Sequence, residues 1–221
     1  MLKIGICGYG TVGQSLVDHV LSYNKKIRLN VSSDFTIARI ADRSIDKKEH
    51  PRDITVTKDP LELPADSNID IIIELLGGID LPYKIITESI RNKKHVITAN
   101  KALIAEHGDE IFQLAKENNV YFGFEASVAG AIPIINTINK NMANENIISL
   151  VGIINGTCNY ILDQMASCDM SFDDALSSAK ELGYAEADPT FDINGMDAAH
   201  KISILSSLVY KIKSPLKKTY I

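Results

Sequence analysis

The chain has 221 residues, of which 45% are hydrophobic and 23% charged, so it can bury a substantial core as one large domain or two small ones. Its formal net charge of −5 gives no electrostatic reason to expect nucleic acid or an anionic membrane surface as a partner. No apolar stretch is long enough to span a bilayer, and the three cysteines have neither metal-ligand nor disulfide-framework spacing, so we expect a protein of the reducing cytoplasm.

Short apolar runs alternate with helix-like stretches through the first part of the chain, a pattern typical of a parallel α/β sheet. Several runs are apolar at successive positions, as expected for strands that helices cover on both faces. The predicted strands are Leu2–Cys7, Phe35–Ala41, Ile54–Thr57, Ile69–Leu75, His95–Thr98 and Val120–Glu125. The predicted helices are Val12–Asn24, Pro82–Asn92 and Asp109–Asn118, the last of them beginning at Asp109 as its N-cap.

The alternation changes after about Gly130. The predicted elements there are a helix at Ile132–Asn141, a strand at Ile147–Ile154, and helices at Asn159–Met165, Phe172–Leu182 and Met196–Tyr210. We therefore predict an α/β protein: a Rossmann, doubly wound parallel sheet in residues 1–130, followed by an α+β substrate domain in residues 131–221. One strand covers several helices poorly, so this second domain is expected to be incomplete at its C-terminus.

The first strand and helix flank a glycine-rich turn, Gly8-Tyr9-Gly10-Thr11-Val12-Gly13, which fits G-x-G-x-x-G. In this position Gly8 would make the tight turn, Gly10 would let the backbone approach a pyrophosphate, and Gly13 would let the helix pack on the strand. The helix N-terminus, with Thr11 and Val12, would supply N–H donors to the phosphates. A turn that only packs a strand on a helix is the alternative.

The residue that selects the ribose should follow the second strand, where Asp42 and Arg43 stand side by side. Asp42 could accept hydrogen bonds from the 2′-hydroxyl of NAD, whereas Arg43 could pair with the 2′-phosphate of NADP. The spacing from Gly8 is longer than usual because a segment, Ile27–Asp34, is inserted. The choice between NAD and NADP stays open at this point.

Further motifs lie at predicted strand ends, where open α/β sheets place ligands, and in the second domain. They are Glu74-Leu75-Leu76-Gly77-Gly78, Thr98-Ala99-Asn100-Lys101-Ala102, the run from Glu125 to Pro133, Asn155-Gly156-Thr157-Cys158-Asn159-Tyr160, and Gly183-Tyr184-Ala185-Glu186-Ala187-Asp188-Pro189 with its continuation to Lys201. In this order the motifs resemble the homoserine dehydrogenase family from Lys3 to about Leu208. The resemblance implies NAD(P)-linked interconversion of homoserine and aspartate 4-semialdehyde in threonine and methionine biosynthesis, by a homodimer.

The resemblance also implies a role for individual residues. Lys201 matches the catalytic lysine, Lys101 a second active-site lysine near the nicotinamide, and Asp197 a further active-site carboxylate. Glu186 and Asp192 match the acidic residues that bind the amino-acid substrate. Thr98 joins Lys101 and the glycine turn among the expected cofactor contacts. The family's monovalent-cation site, for sodium, matches Glu125, Val128, Gly130 and Ile132, with Ala131 where many relatives have glycine.

The chemistry can also be argued from the residues alone. Reducing an aldehyde requires a hydride at the carbonyl carbon and a proton at its oxygen, and a lysine ammonium can polarise that oxygen and deliver the proton. Asp197 and Lys201 are spaced i,i+4 on one predicted helix face, although such a pair is often only a surface salt bridge. Asn155-Gly156-Thr157 can be a turn in which Thr157 caps the next helix.

Three hypotheses follow for the whole chain. The first is a homoserine dehydrogenase, and the second is another Rossmann dehydrogenase, which the motifs around Lys101 and Lys201 argue against. The third is a non-catalytic module that binds nucleotide or only self-associates, because part of the substrate domain is expected to be missing.

Overall fold

The computed structural model describes residues 1–28 and 33–221, which form two compact units, Met1–Ala131 and Ile132–Ile221. The first unit contains a six-stranded parallel sheet, and the second unit consists of helices and connecting segments. The prediction of a doubly wound parallel sheet followed by a second unit is confirmed. The inserted segment predicted at Ile27–Asp34 falls largely on residues 29–32, outside the described residues.

The sheet has the strand order β3-β2-β1-β4-β5-β6, and every neighbouring pair is parallel. Its strands are β1 Leu2–Cys7, β2 Phe35–Ala41, β3 Thr55–Thr57, β4 Ile71–Glu74, β5 His95–Thr98 and β6 Phe122–Gly123. The order reverses between β1 and β4, so the connections leave these two strands in opposite directions and open a crevice at their carboxyl ends. Sequence reasoning located all six strands and overestimated the lengths of β3, β4 and β6.

Helices cover both faces of this sheet. They are α1 Thr11–Arg28, the short α2 Glu62–Ala65, α3 Asp80–Arg91 and α4 Lys101–Asn118. In β4, Ile72 packs into one hydrophobic cluster with α3 and α4, whereas Ile71 and Ile73 pack into the cluster on the opposite face. Because successive side chains of a strand point to opposite faces, a strand buried on both sides favours apolar residues at successive positions, as in Ile71–Ile73.

Helix α4 begins earlier than predicted. Its N-cap is Asn100, whose side-chain oxygen accepts the backbone N–H of Leu103 at 3.1 Å, so the prediction of a start at Asp109 is wrong. Gly108, which precedes the predicted start, lies inside the helix, and a β-carbon there would come within 3.3 Å of Ile104 and Phe112. The glycine therefore reflects close packing of the helix rather than its beginning.

The second unit is built from five helices in the described chain. They are α5 Ile134–Asn136, which continues directly as a π-helical turn at Thr137–Asn141, α6 Gly156–Cys168, α7 Phe172–Glu181, α8 Thr190–Ile193 and α9 Met196–Tyr210. Helices α6 and α7 pack together around Ile161, Ala175 and Ala179. None of the helices in the part of the chain that the structure describes is long and apolar enough to cross a membrane.

The strand predicted at Ile147–Ile154 does not form. The segment has no regular secondary structure, and in the described residues no strand lies beside it to complete a hydrogen-bonded ladder. Its backbone instead accepts side-chain donors: the Lys201 ammonium binds the carbonyl of Ile154 at 2.7 Å. Ile148 and Val151 are 89% and 91% exposed. The apolar pattern was read correctly, but a strand also requires a neighbour, which the pattern cannot supply.

Candidate functional site

The glycine turn closes the crevice at the carboxyl end of β1. Gly8 has φ +104°, and a β-carbon there would meet the carbonyl oxygen of Leu75 at 2.7 Å. At Gly13 a β-carbon would meet the carbonyl oxygen of Gly8 at 2.2 Å, whereas at Gly10 it would meet nothing within 4 Å. Gly8 and Gly13 therefore permit close backbone packing, and Gly10 leaves open space beside the backbone, as a bound pyrophosphate requires.

Thr11 and Val12 are the first two residues of α1, and both are exposed. The first turn of a helix leaves N–H groups without intrahelical partners and carries partial positive charge. The open space at Gly10 adjoins this helix end in sequence. Exposed N–H groups beside open space can bind the phosphates of a dinucleotide, as this fold class leads one to expect.

Asp42 follows β2 and accepts four hydrogen bonds. One carboxylate oxygen accepts the N–H and the hydroxyl of Ser44, and the other accepts the N–H of Tyr9 and the ammonium of Lys48 at 2.8 Å. Partial burial opposes ionisation, but the hydrogen bonds outweigh it and hold the pKa of Asp42 well below its usual range. The carboxylate is thus charged, and both its oxygens are engaged within the protein.

A cleft of about 310 Å³ opens beside Asp42, at the carboxyl ends of β2 and β4. It is lined by Asp42, Arg43, Ser44, Pro60, Leu76, Gly77 and Leu81. Arg43 is exposed at this cleft. Apolar side chains and a guanidinium together suit a heterocycle that carries an anionic group.

Thr98 and Lys101 occupy different positions at the carboxyl end of β5. Thr98 is fully buried, and its hydroxyl donates to Glu74 at 2.6 Å, so its side chain acts within the protein. Lys101 is the first residue of α4 and is partly exposed at the same edge of the sheet. The structure therefore leaves Lys101 accessible at the predicted cofactor edge and gives the Thr98 side chain an internal partner.

The second unit has its own polar cluster, centred on the side chain of Asn155. The amide nitrogen of Asn155 donates to Asp192 at 2.9 Å and to Asp197 at 2.8 Å, and Thr157 donates to the other oxygen of Asp192 at 2.8 Å. The Lys201 ammonium donates to Asp197 at 2.7 Å. Asn155 and Asp197 are buried, 8% and 2% exposed, so this arrangement is not a surface salt bridge.

This cluster holds two carboxylates and one ammonium, so its charges do not cancel. The Lys201 ammonium donates two hydrogen bonds, to Asp197 and to the carbonyl of Ile154. An ammonium has three N–H donors. A site of this kind attracts a cationic group to its carboxylates while the lysine presents a donor to an oxygen. An amino acid with a terminal oxygen carries both features.

Sequence reasoning missed the central role of Asn155. The oxygen of its side chain caps α6 by accepting the N–H of Cys158 at 2.7 Å, so the prediction that Thr157 is the cap is wrong. Asn at the first position of Asn155-Gly156-Thr157 was a signal for an N-cap. Glu186 is exposed in the loop after α7 and lies outside this hydrogen-bonded cluster.

The residues predicted to bind a monovalent cation are divided between the units. Glu125, Val128 and Gly130 lie in the first unit and Ile132 in the second, where the carbonyl of Ile132 accepts the N–H of Ile134 at 2.8 Å. Among residues 1–28 and 33–221, no three His, Cys, Asp or Glu side chains converge as metal ligands would. A site made mainly of backbone carbonyls would not require such a group.

Two family models match the chain in succession. The model of the NAD-binding domain of homoserine dehydrogenase matches residues 8–125, and the model of homoserine dehydrogenase itself matches residues 133–221. Curated relatives agree: the homoserine dehydrogenase of Pseudomonas aeruginosa is 43% identical over 219 residues, which are 99% of this chain and 50% of that protein. The homoserine dehydrogenase of Helicobacter pylori is 43% identical over 223 residues, 100% of this chain and 52% of that protein.

Solved structures show the same similarity. A homoserine dehydrogenase from Thiobacillus denitrificans superposes with a TM-score of 0.93 at 41% identity, covering 99% of this chain and 51% of the other. A hyperthermophilic archaeal homoserine dehydrogenase in complex with NADPH gives a TM-score of 0.82 at 28% identity, covering 96% and 70%. The chain spans about half the length of the curated relatives it matches.

Proposed function

Because this chain belongs to the homoserine dehydrogenase family, we propose that the protein interconverts L-homoserine and L-aspartate 4-semialdehyde with a nicotinamide cofactor. The observation that carries the proposal is the partly buried cluster of Asn155, Asp192, Asp197 and Lys201 in the unit matched by the homoserine dehydrogenase model. A buried carboxylate held with a lysine beside a second, partly buried carboxylate is costly to maintain without a ligand, and it suits an amino acid with a reacting oxygen.

The first unit holds the cofactor in this proposal. Gly10 and the N-terminus of α1 would hold the pyrophosphate, and the residues of the cleft beside Asp42 would hold the adenosine half. The carboxyl ends of β4 and β5, with Lys101, would then face the nicotinamide half. Gly8 and Gly13 contribute by allowing the turn, the helix and the neighbouring strand to pack closely.

The phosphate-bearing cofactor, NADP, fits the ribose site better than NAD does. Asp42 already accepts four hydrogen bonds and is paired with Lys48, so it has little capacity left for a ribose 2′-hydroxyl. Arg43, exposed at the cleft, can pair with a 2′-phosphate. The archaeal relative solved in complex with NADPH shows that a related site accepts the phosphate-bearing cofactor.

The second unit holds the substrate. The bound nicotinamide supplies or accepts the hydride, and Lys201 supplies the proton to the aldehyde oxygen or removes it from the alcohol. Asp197 holds the Lys201 ammonium in place at 2.7 Å. Asp192, positioned by Asn155 and Thr157, receives the substrate ammonium, and Glu186 joins it from the adjacent loop.

We extend the proposal to the cellular setting. The reaction would serve the biosynthesis of threonine and methionine, in the cytoplasm, where the thiols of Cys7, Cys158 and Cys168, all unpaired in the structure, stay reduced. The protein would act as a homodimer. A sodium ion held by backbone carbonyls near Glu125 and Val128 would have a structural role and no part in hydride or proton transfer.

The test is to mix the purified chain with homoserine and either NADP or NAD at mildly alkaline pH, and to follow the absorbance of the reduced nicotinamide. We expect turnover, faster with NADP, that Lys201→Ala abolishes while cofactor affinity is retained. Lys213→Ala removes an exposed lysine of the same unit and is the matched control, expected to leave turnover unchanged.

The other outcomes separate the hypotheses. Full turnover in Lys201→Ala would refute the proton-transfer role of this lysine. Cofactor binding without any turnover would favour a non-catalytic nucleotide-binding module. The six-stranded sheet of the first unit supports nucleotide binding in that case. Faster turnover with NAD would refute the preference argued from Asp42 and Arg43.

A further inference from the structure

Glu74 is a carboxylate without access to solvent at the carboxyl end of β4, 0% exposed. It stands between its register partners Cys7 on β1 and Thr98 on β5. One of its oxygens accepts the backbone N–H of Leu76 at 2.6 Å, and the other accepts the hydroxyl of Thr98 at 2.6 Å. Both oxygens act as acceptors, so the hydrogen bonds fit the ionised form.

These hydrogen bonds connect two turns at the crevice. The Thr98 hydroxyl accepts the N–H of Asn100 at 3.0 Å, and the Asn100 amide donates to the carbonyl of Gly78 at 2.7 Å. The chain of contacts therefore runs from the turn after β4, through Glu74 and Thr98, to the turn before α4, and back to the turn after β4. Beside it, β-carbons at Gly77 and Gly78 would meet nothing within 4 Å, so space is open there.

Keeping this carboxylate ionised is unfavourable for folding. Burial raises the pKa of Glu74 to about 7, although the hydrogen bonds from Thr98 and Leu76 oppose the rise. A glutamine would fill the same volume without a charge to desolvate. Residues that are retained at a cost in stability are most often found where a ligand binds.

We propose that Glu74 is a positioning residue for the nicotinamide half of the cofactor site, acting through Leu76, Thr98 and Asn100 without contacting the cofactor. The inference rests on the proposed function, because it assumes a dinucleotide across the crevice. Its location supports this role: β4 is on the side of the order reversal away from Asp42, where the nicotinamide half extends. Lys101 follows Asn100 directly, so the same contacts set the start of α4.

The amide of Glu74→Gln cannot replace the carboxylate fully. It offers one acceptor oxygen and two N–H donors, but Leu76 and Thr98 both donate to this position. Either the Leu76 N–H or the Thr98 hydroxyl then loses its acceptor at position 74, so the link between the two turns is weakened. We expect the dissociation constant of NADPH to rise about tenfold. The unfolding midpoint should not fall, because the desolvation penalty is removed.

The experiment uses the 221-residue chain at about pH 8, where the Glu74 carboxylate is ionised. NADPH is titrated by the fluorescence of its nicotinamide, and adenosine 2′,5′-bisphosphate, which has only the adenosine half, is titrated by calorimetry. Glu74→Gln should weaken NADPH and leave adenosine 2′,5′-bisphosphate within about twofold. A residue that only supports the fold would weaken both ligands and lower the unfolding midpoint.

Thr98→Val provides the second variant. It removes the hydroxyl that Glu74 accepts and leaves a buried carboxylate with one partner fewer, so the unfolding midpoint should fall. NADPH affinity should fall as it does in Glu74→Gln, and Thr98→Ser should restore both. The two variants thus move stability in opposite directions and affinity in the same direction. Ser89→Ala, at a buried serine bonded to Ile85 within α3, is the control that lowers stability alone.

Three results would overturn the inference. NADPH affinity within about twofold of the parent in both Glu74→Gln and Thr98→Val would remove the positioning role. Equal weakening of NADPH and adenosine 2′,5′-bisphosphate would make the effect a general loss of structure. A parent chain that binds neither ligand would refute the cofactor site of the proposed function, and this inference with it.

Discussion

Gly10 and Gly13 belong to the same sequence motif but meet different constraints in the structure. At Gly13 a β-carbon would collide with the carbonyl oxygen of Gly8, at 2.2 Å, so glycine is required for folding. At Gly10 a β-carbon would meet nothing within 4 Å, so folding does not require glycine there, and the open space is available to the proposed cofactor. This difference allows folding and binding to be tested separately at one turn.

Gly10→Val should abolish detectable NADPH binding without unfolding the first unit, because the branched side chain fills space that the pyrophosphate needs. Circular dichroism should match that of the parent, and titration of NADPH fluorescence measures the loss. Gly152→Val is the matched control, since a β-carbon there meets only Ile154, at 3.8 Å. Retained NADPH affinity in Gly10→Val would contradict the assignment of the turn.

Two carboxylates of the first unit show how surroundings determine ionisation. Asp42 receives four hydrogen bonds, one from an ammonium, and the pKa of its carboxyl stays well below the usual range. Glu74 is fully buried with two neutral donors, and its pKa is raised to about 7. The neighbouring Cys7 thiol stays protonated near neutral pH, because burial and the Glu74 charge raise its pKa.

The raised pKa of Glu74 predicts a dependence of stability on pH. Between its ordinary value of 4.5 and about 7, the folded state binds the proton more tightly than the unfolded state does. The contribution of Glu74 to the unfolding free energy therefore decreases as pH rises through this window. Glu74→Gln removes that dependence. The unfolding free energy of the variant, relative to that of the parent, should therefore increase by about 2 kcal/mol from about pH 5 to about pH 8.5.

Urea unfolding followed by circular dichroism, at both pH values, measures the difference. Asp42→Asn should instead be less stable than the parent by a similar amount at both pH values, because the pKa of Asp42 is lowered and its favourable contribution is present throughout this window. A constant difference between the parent and Glu74→Gln across the window would contradict the buried, titrating carboxylate.

Helix α4 illustrates what determines an element's boundary. Asn100 caps it through Leu103, and the helix continues past a buried glycine to Asn118. Asn119, the C-cap, has φ +55°, a left-handed conformation that Asn tolerates better than most residues. The helix is therefore bounded by an asparagine at each end, and its start is tied to the cofactor edge through the Asn100 amide and Gly78.

Replacing the cap separates its two roles. Asn100→Ala should lower the unfolding free energy by about 1 kcal/mol, because the first turn of α4 loses its acceptor. Asn100→Asp keeps an acceptor for Leu103 and loses only the donor to Gly78, so it should retain most of that stability. The measurement is urea unfolding of both variants, and equal losses in the two would show that the cap oxygen contributes little.

The first unit contains a six-stranded sheet covered by helices, whereas the second unit has a segment of exposed apolar side chains. In the second unit, the segment around Ile148 and Val151 has no strand beside it in the described chain, and these side chains are 89% and 91% exposed. Extended apolar segments with unpaired backbone groups favour pairing with another chain. We therefore expect concentration-dependent self-association of the 221-residue chain through this segment.

Val151→Lys should reduce that association, since it places a charge in the exposed apolar segment and leaves the packed helices untouched. Sedimentation velocity over a series of concentrations measures the effect. Asn144→Lys adds the same charge at an exposed polar position and serves as the control. Association that is equally strong in Val151→Lys and the parent would place the contact elsewhere.

Local patterns predicted most elements because the signals are themselves local. The apolar runs identified all six strands, and the glycine turn was located between β1 and α1. Predictions failed where a second element decides the outcome: Gly108 breaks no helix because it packs against Ile104 and Phe112, and residues 147–154 form no strand because none pairs with them. The spacing of Asp197 and Lys201 predicted a pair, but its burial depends on packing.

The sequence by itself determined the fold class and the family, and it predicted the residues that we propose to carry the chemistry, since periodicity, turn residues and motif order are properties of the chain alone. Only the tertiary structure decided what those residues contact. It joined Asn155 to Asp192 and Asp197 across 37 and 42 positions of sequence, occupied Asp42 with Lys48, and buried Glu74 between β1 and β5. Burial, and most of these contacts and the pKa shifts that they cause, depend on how the elements pack, which no local pattern encodes.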